Sequence, residues 1–341
     1  MSTRRAASAL FGALLIWPGA VFAQAADAFY RGKTITLIVT DSPGGGYDIM
    51  ARTVGKYLGN HLPGNPRIVV QNMPGAGGIV GMNYLYTTAP KDGTMLGAAD
   101  NNTPLEPLLG TPEAKYDPNR FNWLGSPTVE TGLVTVWHTV PVNSIDDLRK
   151  REISVGSSGA NSTPSFYARL LNATLGTKMR IVVGYTGQTD VYLAMERGEV
   201  DGFPSMFFNT LNATRPAWRT EKKIKVLLQF GLEREPSLPN VPSALDLVSK
   251  PDDKLLLRAG LAEVALGRPY LMPPNVPADR VAIMRKAIFA TFTDPGFLAE
   301  TKKMNLGVNS PRSGEQLQKT IEDAYRTPPE IVRRLRKLSL H

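Results

Sequence analysis

The sequence predicts an α/β protein in which helices cover parallel β-sheets. Four times along the chain, a short β-rich segment is followed by a Gly-, Ser- or Pro-rich turn and then by a helical pattern. Strands that alternate with helices in this way form parallel sheets covered on both faces. The length of 341 residues favours two domains. Two units precede the loop-rich stretch 101–127 and two follow it, which predicts one sheet per domain.

The first unit shows the pattern most clearly. Its strand, 34–40, leads into the turn 41–47, which contains three consecutive glycines. The helix that follows opens near the end of this turn and places Met50, Val54 and Leu58 on one face. The other three units have predicted strands at 67–71, 153–156 and 180–185. Their helices are predicted from about 78 to 88, from Pro164 onward with Thr163 as the cap, and after Gln188 with Val191, Ala194 and Met195 on its apolar face. Gly176 and Gly198 are expected to end the last two helices.

The C-terminal third of the chain is predicted to be mainly helical. It follows the Pro-rich segment 235–242, a candidate boundary. Ser313 and Gln316 form a capping box for one of its helices. The predicted helices are 279–292, 295–304, 313–325 and 329–338, and we expect them to pack onto the first domain.

The N-terminus reads as a secretory signal peptide. Arg4 and Arg5 precede the apolar run 6–17, which is shorter than the roughly 20 residues needed to cross a bilayer. Small residues follow, and we expect cleavage after Ala23 or Ala25. A buried N-terminal helix is the alternative. The Sec route is favoured over the Tat route because the residues after the twin arginine are not the usual apolar pair.

Composition excludes several classes of function. The chain has no cysteine, so it has no thiol nucleophile, iron–sulfur cluster or lipid-anchored cysteine. His61, His138 and His341 are too far apart in sequence to suggest a metal site, and we expect neither metal nor cofactor. The net charge is +9, or +7 without Arg4 and Arg5. The basic residues are not concentrated in one stretch, so nucleic-acid binding is not expected.

The turns of the four units are the candidate ligand site. In open parallel sheets, ligands bind beyond the carboxyl ends of the strands, where helix N-termini offer unpaired N–H groups. The turns 41–47, 72–78, 157–164 and 185–189 contain neither Lys nor Arg. This pattern favours a carboxylate bound through amide and hydroxyl groups. The alternative is that the glycines only permit tight turns.

No catalytic motif is complete, and we expect the protein not to be an enzyme. The segment 75–80 approaches a dinucleotide-binding fingerprint but has Val80 where its third glycine belongs. The segment 156–160 misses the nucleophile elbow by its last residue. A periplasmic hydrolase that uses Ser157 or Ser158 remains an alternative, although the sequence marks no base.

Together the turns resemble those of a known family. The relevant motifs are Pro43-Gly44-Gly45-Gly46-Tyr47-Asp48, Asn72-Met73-Pro74-Gly75-Ala76-Gly77-Gly78, Ala89-Pro90-Lys91-Asp92-Gly93-Thr94, Val155-Gly156-Ser157-Ser158-Gly159, Tyr185-Thr186-Gly187 and Pro277-Ala278-Asp279-Arg280. Along essentially the whole mature length, the chain resembles the solute receptors of tripartite tricarboxylate transporters, the Bug or TctC family.

The resemblance implies a type II two-domain periplasmic binding protein fold with the ligand in the interdomain cleft. The expected divisions are a cleaved signal peptide at 1–25, a first domain at 26–125 plus 236–341, and a second domain at 126–235. The expected ligand is a small organic anion, and the expected partners are the permease subunits of such a transporter. We expect a monomer. A periplasmic sensor subunit for the same ligands is the alternative.

The resemblance also implies which residues bind the ligand. The first two turns would hold one carboxylate through backbone amides and bridging water. Tyr47 stands where many relatives carry a smaller residue, so it predicts a narrower pocket or a stacking contact. Asp201 is a candidate partner for a ligand amine, or it caps a turn. The full predicted set is Pro43, Gly44, Gly45, Gly46, Tyr47, Asp48, Asn72, Pro74, Gly75, Ala76, Gly77, Gly78, Ser157, Ser158, Ser162, Thr163, Tyr185, Thr186, Gly187 and Asp201.

Overall fold

A computed structural model describes residues 29–160 and 162–339. The segment expected to be a signal peptide lies outside the described residues. Among the residues that are described, no helix is long and apolar enough to cross a membrane. The chain forms two β-sheets, each covered by helices, which confirms the predicted α/β class and the prediction of one sheet per domain.

Eleven strands are assigned in the described residues. They are β1 (Thr34–Val39), β2 (Arg67–Asn72), β3 (Met95–Ala98), β4 (Asn122–Ser126), β5 (Gly132–Trp137), β6 (Ile153–Gly156), β7 (Met179–Val182), β8 (Gly202–Phe207), β9 (Ile224–Phe230), β10 (Tyr270–Met272) and β11 (Arg312–Ser313).

The helices are, in chain order, α1 (Gly46–Leu58), α2 (Ile79–Thr87), α3 (Glu106–Leu109), α4 (Ile145–Lys150), α5 (Thr163–Leu175), α6 (Gln188–Arg197), α7 (Phe208–Thr214), α8 (Pro216–Thr220), α9 (Ala244–Leu247), α10 (Pro251–Gly260), α11 (Ala262–Leu266), α12 (Ala278–Phe292), α13 (Pro295–Lys303), α14 (Gly314–Tyr325) and α15 (Pro329–Ser339).

The first sheet has the strand order β11-β4-β10-β3-β1-β2. Strand β1 pairs in parallel with β2 and β3, while β10 runs antiparallel to both β3 and β4. The second sheet has the order β7-β6-β8-β5-β9, in which β6 is parallel to β7 and β8, and β5 is antiparallel to β8 and β9. In the first sheet, the antiparallel strand β10 comes much later in the chain than its neighbours β3 and β4. In the second sheet, the antiparallel strand β5 comes earlier in the chain than its neighbours β8 and β9.

The four predicted strand–turn–helix units all form. Gly176 and Gly198 end α5 and α6 with φ angles of 69° and 73°, the left-handed conformation that glycine adopts without strain. The predicted capping box is also present, because the Ser313 hydroxyl accepts from the Gln316 amide and the Gln316 side chain accepts in return. Local signals therefore predicted these elements and several of their ends. The predicted cap at Thr163 is wrong, because α5 already begins at Thr163 and Ser162 precedes it without a side-chain capping bond.

The packing of the last helix differs from expectation. As predicted, α12, α13 and α14 place apolar side chains in clusters with the first sheet. The apolar face of α15, however, puts Ile331 and Leu335 in the core of the second sheet, with Leu170 of α5. Gly260 of α10 lies so close that an added Cβ would be 2.6 Å from Leu170. Periodicity showed that α15 is amphipathic, but it could not show which core the apolar face would meet. The predicted domain boundaries stay predictions.

Two neighbouring chain crossings connect the sheets, at 127–131 and 264–268. The Glu130 amide donates to the Val264 carbonyl over 3.0 Å, and the Arg268 amide donates to the Ser126 hydroxyl over 2.9 Å. Gly267 has φ of 62°, and a Cβ there would lie 1.9 Å from the Thr128 carbonyl oxygen. The crossings are thus held together tightly at Gly267, and they define the side of the cleft where the sheets join.

Candidate ligand-binding site

A cavity of about 310 Å³ lies between the two sheets, beside the crossings. The first sheet contributes Tyr47 and Asn101, the second contributes Thr163 and Phe207, and the crossing contributes Arg268. Phe207 ends its strand, and the other three of these four residues lie in segments that follow the carboxyl end of a strand. Ligands bind at this edge in open α/β sheets. The volume is at the lower end of the range for small-molecule sites.

Tyr47, one of the predicted ligand-binding residues, forms one wall of this cavity. Its hydroxyl accepts a hydrogen bond from the Asn101 amide at 3.2 Å and donates to the Gly267 carbonyl at 3.5 Å. Burial raises the pKa of the Tyr47 phenol above its ordinary value, so the group stays neutral. Tyr47 therefore joins the first turn to the crossing and presents its ring to the cavity.

Arg268 brings a positive charge to the site that the sequence analysis did not expect. Its guanidinium lies over the Tyr47 ring, with Cζ 5.5 Å from the ring centroid, and donates to the Gly46 carbonyl. Among the described residues, no carboxylate oxygen lies within 4.0 Å of its nitrogens. The turns themselves contain no basic residue, but the crossing supplies one from more than 200 positions later. In the sequence, Arg268 is a single arginine that follows Gly267, and no motif marks it as part of a site.

In the second turn, four consecutive residues have positive φ angles. Gly75, Ala76, Gly77 and Gly78 have φ angles of 137°, 46°, 61° and 91°. A Cβ on Gly75 would lie 2.8 Å from Val80, and one on Gly78 would lie 2.7 Å from the Asp100 carboxylate. A Cβ on Gly77 would meet no atom within 4 Å. Packing therefore explains two of these glycines, whereas Gly77 faces open space.

Two predicted polar residues serve the turns themselves. The Asp48 carboxylate accepts from the Gly44 amide, from the Asn72 side chain and from Arg52. The Asn72 amide group also donates to the Asp41 carbonyl. These contacts tie the first turn to the second and leave Asp48 only 3% exposed. The other residues of the first turn are more open, since Pro43, Gly44 and Gly46 are exposed.

Asp100 is a further acidic group beside the second turn. Its backbone amide donates to the Thr40 hydroxyl over 3.0 Å. Burial, followed by the nearby negative charge of Asp41, raises the pKa of Asp100 from 3.8 to about 7. Asp41 and Asp100 thus place two carboxyl groups beside the first two turns. A carboxylate bound there would be repelled by both groups when they are ionised.

The pKa of Asp100 predicts how stability changes with pH. Because its folded-state pKa is raised, the associated stabilisation is complete below about pH 4 and is lost as pH rises through about 7. We expect Asp100→Asn to raise the melting temperature at pH 8 by about 2–4 °C, or about 1 kcal/mol, and to change it little at pH 4. Thermal unfolding across this pH range measures the effect, with exposed Asp252→Asn as the control. Equal shifts at both pH values would contradict the prediction.

Ser157 belongs to a group of mutually hydrogen-bonded hydroxyls in and just after the turn between β6 and α5. Its Oγ lies 2.6 Å from Ser162 Oγ and 2.7 Å from Ser165 Oγ, and it donates to the Gly159 carbonyl at 3.2 Å. Ser157 is fully buried. Within the described residues its hydrogen-bond partners are hydroxyls and a carbonyl, and none is a base. This arrangement fixes the turn ahead of α5 and gives no support to the hydrolase alternative.

A second cavity of about 250 Å³ continues along the second domain. It is lined by Ser158, Thr163 and Gly187 of the predicted set, and it shares Thr163 and Phe207 with the first cavity. Tyr185 is half-buried and packs on an apolar cluster instead, and the exposed Thr186 hydroxyl donates to Asp190. Ser158, Thr163 and Gly187 are therefore the predicted second-domain residues that line a cavity.

Asp201 does not belong to the candidate site. Its carboxylate accepts from the Ser154 amide at 2.7 Å and from the Ser154 hydroxyl at 2.8 Å. Both residues lie at the amino ends of their strands, β8 and β6, whereas the cleft is at the carboxyl ends. The prediction that Asp201 contacts a ligand is therefore corrected, and its alternative role in local backbone structure agrees with these bonds.

Three acidic residues that the sequence analysis did not select also line the first cavity. They are Glu106 of α3, Glu130 of the crossing and Glu263 of α11. Burial raises the pKa of Glu130, and it raises the pKa of Glu263 to about 7, with Glu106 adding to the effect. Nothing in the local sequence distinguishes these carboxyl groups from surface ones, because only the packing of α3 and α11 against the cleft brings them together.

Two sheets flanked by helices and joined by paired crossings, with a cavity between them, are the architecture of a two-domain periplasmic binding protein. The family model described as "Tripartite tricarboxylate transporter family receptor" matches residues 50–336. The chain therefore belongs to the TctC family of solute-binding receptors, as its turns suggested.

Individual relatives are distant. The UPF0065 protein of the tcbD-tcbE intergenic region of Pseudomonas sp. strain P51 is 26% identical over 259 residues, 73% of each chain. A TctC solute binding protein from Polaromonas has a TM-score of 0.70 at 18% identity, covering 91% of this chain and 98% of its own. MatC from Rhodopseudomonas palustris, solved with bound malate, has a TM-score of 0.58 at 22% identity, covering 90% and 99%. These solved structures share the periplasmic binding protein fold.

Proposed function

We propose that the protein is a periplasmic receptor that captures a small organic carboxylate and delivers it to a tripartite tricarboxylate-type permease. The observation that carries the proposal is the Arg268 guanidinium, which lies in the interdomain cavity without a carboxylate partner among the described residues. A planar guanidinium binds a carboxylate through paired, charge-assisted hydrogen bonds. The malate bound by MatC belongs to this ligand class.

Backbone groups of the first domain support the same ligand. The first N–H groups of α1 have no partner within the helix, and no side chain caps them. The helix begins beyond the carboxyl end of β1, the edge where ligands bind in such sheets. The Arg268 side chain reaches this helix start, because it donates to the Gly46 carbonyl. A carboxylate placed here would meet neutral amides and one cation together. We therefore combine the predicted amide contacts with a salt bridge that the turns alone do not provide.

The two crossings support capture by domain closure. They lie side by side at one edge of the cleft, so small backbone rotations there would bring the second-domain residues toward Tyr47. Closure would remove water from the ligand and strengthen its hydrogen bonds to preorganised donors. In this proposal the protein is exported by its N-terminal signal peptide, and the closed form is the one that the permease recognises.

A thermal-shift screen tests the proposal. We expect a small carboxylate at 100 times its dissociation constant to stabilise the mature protein by about 2.7 kcal/mol, which raises the melting temperature by several degrees. The screen compares mono-, di- and tricarboxylates, aromatic acids and amino acids with sugars and phosphate esters. The protein is first unfolded and refolded to remove any ligand carried through purification. Stabilisation by sugars or phosphate esters alone would overturn the proposal.

A further inference from the structure

The cavity in the cleft is lined by more acidic than basic side chains. Three carboxyl groups face it, those of Glu106, Glu130 and Glu263, against the single guanidinium of Arg268. This composition is unusual for a site that takes a simple anion, because like charges in a cavity of low dielectric repel the ligand. The acidic side chains of the cavity therefore indicate which group the ligand carries in addition to its carboxylate.

Each of the three carboxyl groups is held by neutral donors. Glu106 accepts from the Asn102 side chain at 3.1 Å and from the Thr111 hydroxyl at 2.5 Å. Glu263 accepts from the Tyr167 hydroxyl at 2.5 Å.

Glu130 completes the set, since it accepts from the Asn209 side chain at 3.3 Å. Across residues 29–160 and 162–339, no Lys, Arg or His nitrogen lies within 4.0 Å of any of the three carboxylates. The carboxyl groups are thus fixed in place without an ion pair within 4.0 Å, although the positive charge of Arg268 acts on Glu130 from farther away.

Holding unpaired carboxylates in a partly closed cavity is unfavourable. Burial disfavours the charged form, and the pKa values of Glu130 and Glu263 rise accordingly. Glu106 and Glu263 also repel one another, which raises the pKa of Glu263 further. Closure of the domains would remove more water and increase this cost. A positive charge on the ligand would offset this cost locally at the carboxyl groups, whereas a ligand with only negative charge adds to it.

We propose that the ligand is a zwitterion, a small amino acid or similar amino-carboxylic acid. Its protonated amine would lie between Glu106 and Glu263, and its carboxylate would meet Arg268 and the start of α1. The positive charge of Arg268 lies with Tyr47 and Glu130, while Glu263 lies with Glu106 and Tyr167, so the cavity offers both kinds of charge partner. This inference rests on the proposed function and narrows its ligand class.

Matched ligands test the proposal on the unaltered protein. Succinate, malate and aspartate differ only in carrying hydrogen, hydroxyl or ammonium at one carbon, and each carboxylate in the thermal-shift screen is paired with its 2-amino counterpart in the same way. We expect the amino member of the best-binding pair to bind at least tenfold more tightly by calorimetry. A best binder that lacks an amine overturns the zwitterion proposal and leaves the receptor function intact. Failure of every carboxylate to bind overturns both.

Substitutions in the cavity test which residues hold the amine. Glu106→Gln and Glu263→Gln keep the shape and the acceptor oxygen but remove the charge. We expect each variant to reduce the ratio of amino-acid to parent-acid affinity by tenfold or more. Glu113→Gln, at an exposed carboxylate outside the cavity, is the matched control and should keep the wild-type ratio. Circular dichroism identifies folded variants. An unchanged ratio in whichever cavity variants fold overturns the assignment.

Discussion

Arg268→Ala is expected to weaken carboxylate binding by about tenfold to a hundredfold. Hydrogen bonds to charged groups contribute about 1.5–3 kcal/mol, and Arg268 offers the one guanidinium that the described residues place in the cavity. The substitution also leaves Glu130 without a nearby positive charge, so the cavity becomes more negative. Isothermal titration calorimetry with the best carboxylate from the screen measures the loss.

Two variants separate the role of Arg268 from general charge effects. Arg268→Lys keeps the charge but loses the planar pair of donors, so we expect an intermediate affinity. Arg333→Ala removes an exposed arginine from α15, outside the cavity, and should bind like the wild type. If Arg268→Ala folds and binds the carboxylate with wild-type affinity, Arg268 does not bind the carboxylate. The result would instead favour binding through the amide and hydroxyl groups of the turns alone.

Gly77→Asn is expected to reduce carboxylate affinity at least tenfold while the protein remains folded. Gly77 has φ of 61°, a conformation that asparagine tolerates better than other side-chain residues do. Its Cβ direction meets no atom within 4 Å, so the new side chain projects into the open space before the second turn. If that space admits the ligand, the side chain blocks its approach to the backbone amides.

The chain offers a closely matched control for this substitution. Gly176 also has a left-handed backbone, with φ of 69°, and an added Cβ would likewise meet nothing within 4 Å. It ends α5, away from the strand carboxyl ends. Gly176→Asn should therefore cost similar stability and leave affinity unchanged. Equal affinities of the two variants would show that the second turn is not in contact with the ligand.

The electrostatics of the cleft differ from what the turns alone predicted. The turns lack basic residues, and on that ground a carboxylate was expected to be held by neutral donors. The folded chain brings Asp100 to the second turn and Arg268 to the first, from segments to which the sequence assigned no role in the site. We therefore expect ligand affinity to depend on the fixed charges around the amides, which the Asp100, Arg268 and Glu106 substitutions change in different directions.

The sequence by itself determined the local structure. Strand, turn and helix patterns located the four units, glycines marked the ends of α5 and α6, and the capping box marked the start of α14, because these signals act within a few residues. The sequence also placed the glycine-rich turns and Tyr47 after parallel strands, and a turn there lies at the edge of the sheet where ligands bind in this class of fold.

The tertiary structure decided everything that depends on distant segments. The apolar face of α15 meets the second sheet, Asp201 lies at the edge of its sheet away from the cleft, and Glu106, Glu263 and Arg268 converge on one cavity. Amphipathic periodicity specifies which face of a helix is buried but not its partner. Likewise, a charged residue in a connecting segment has no sequence pattern that tells whether it faces solvent or a cleft. The chemistry of the site therefore came from packing rather than from motifs.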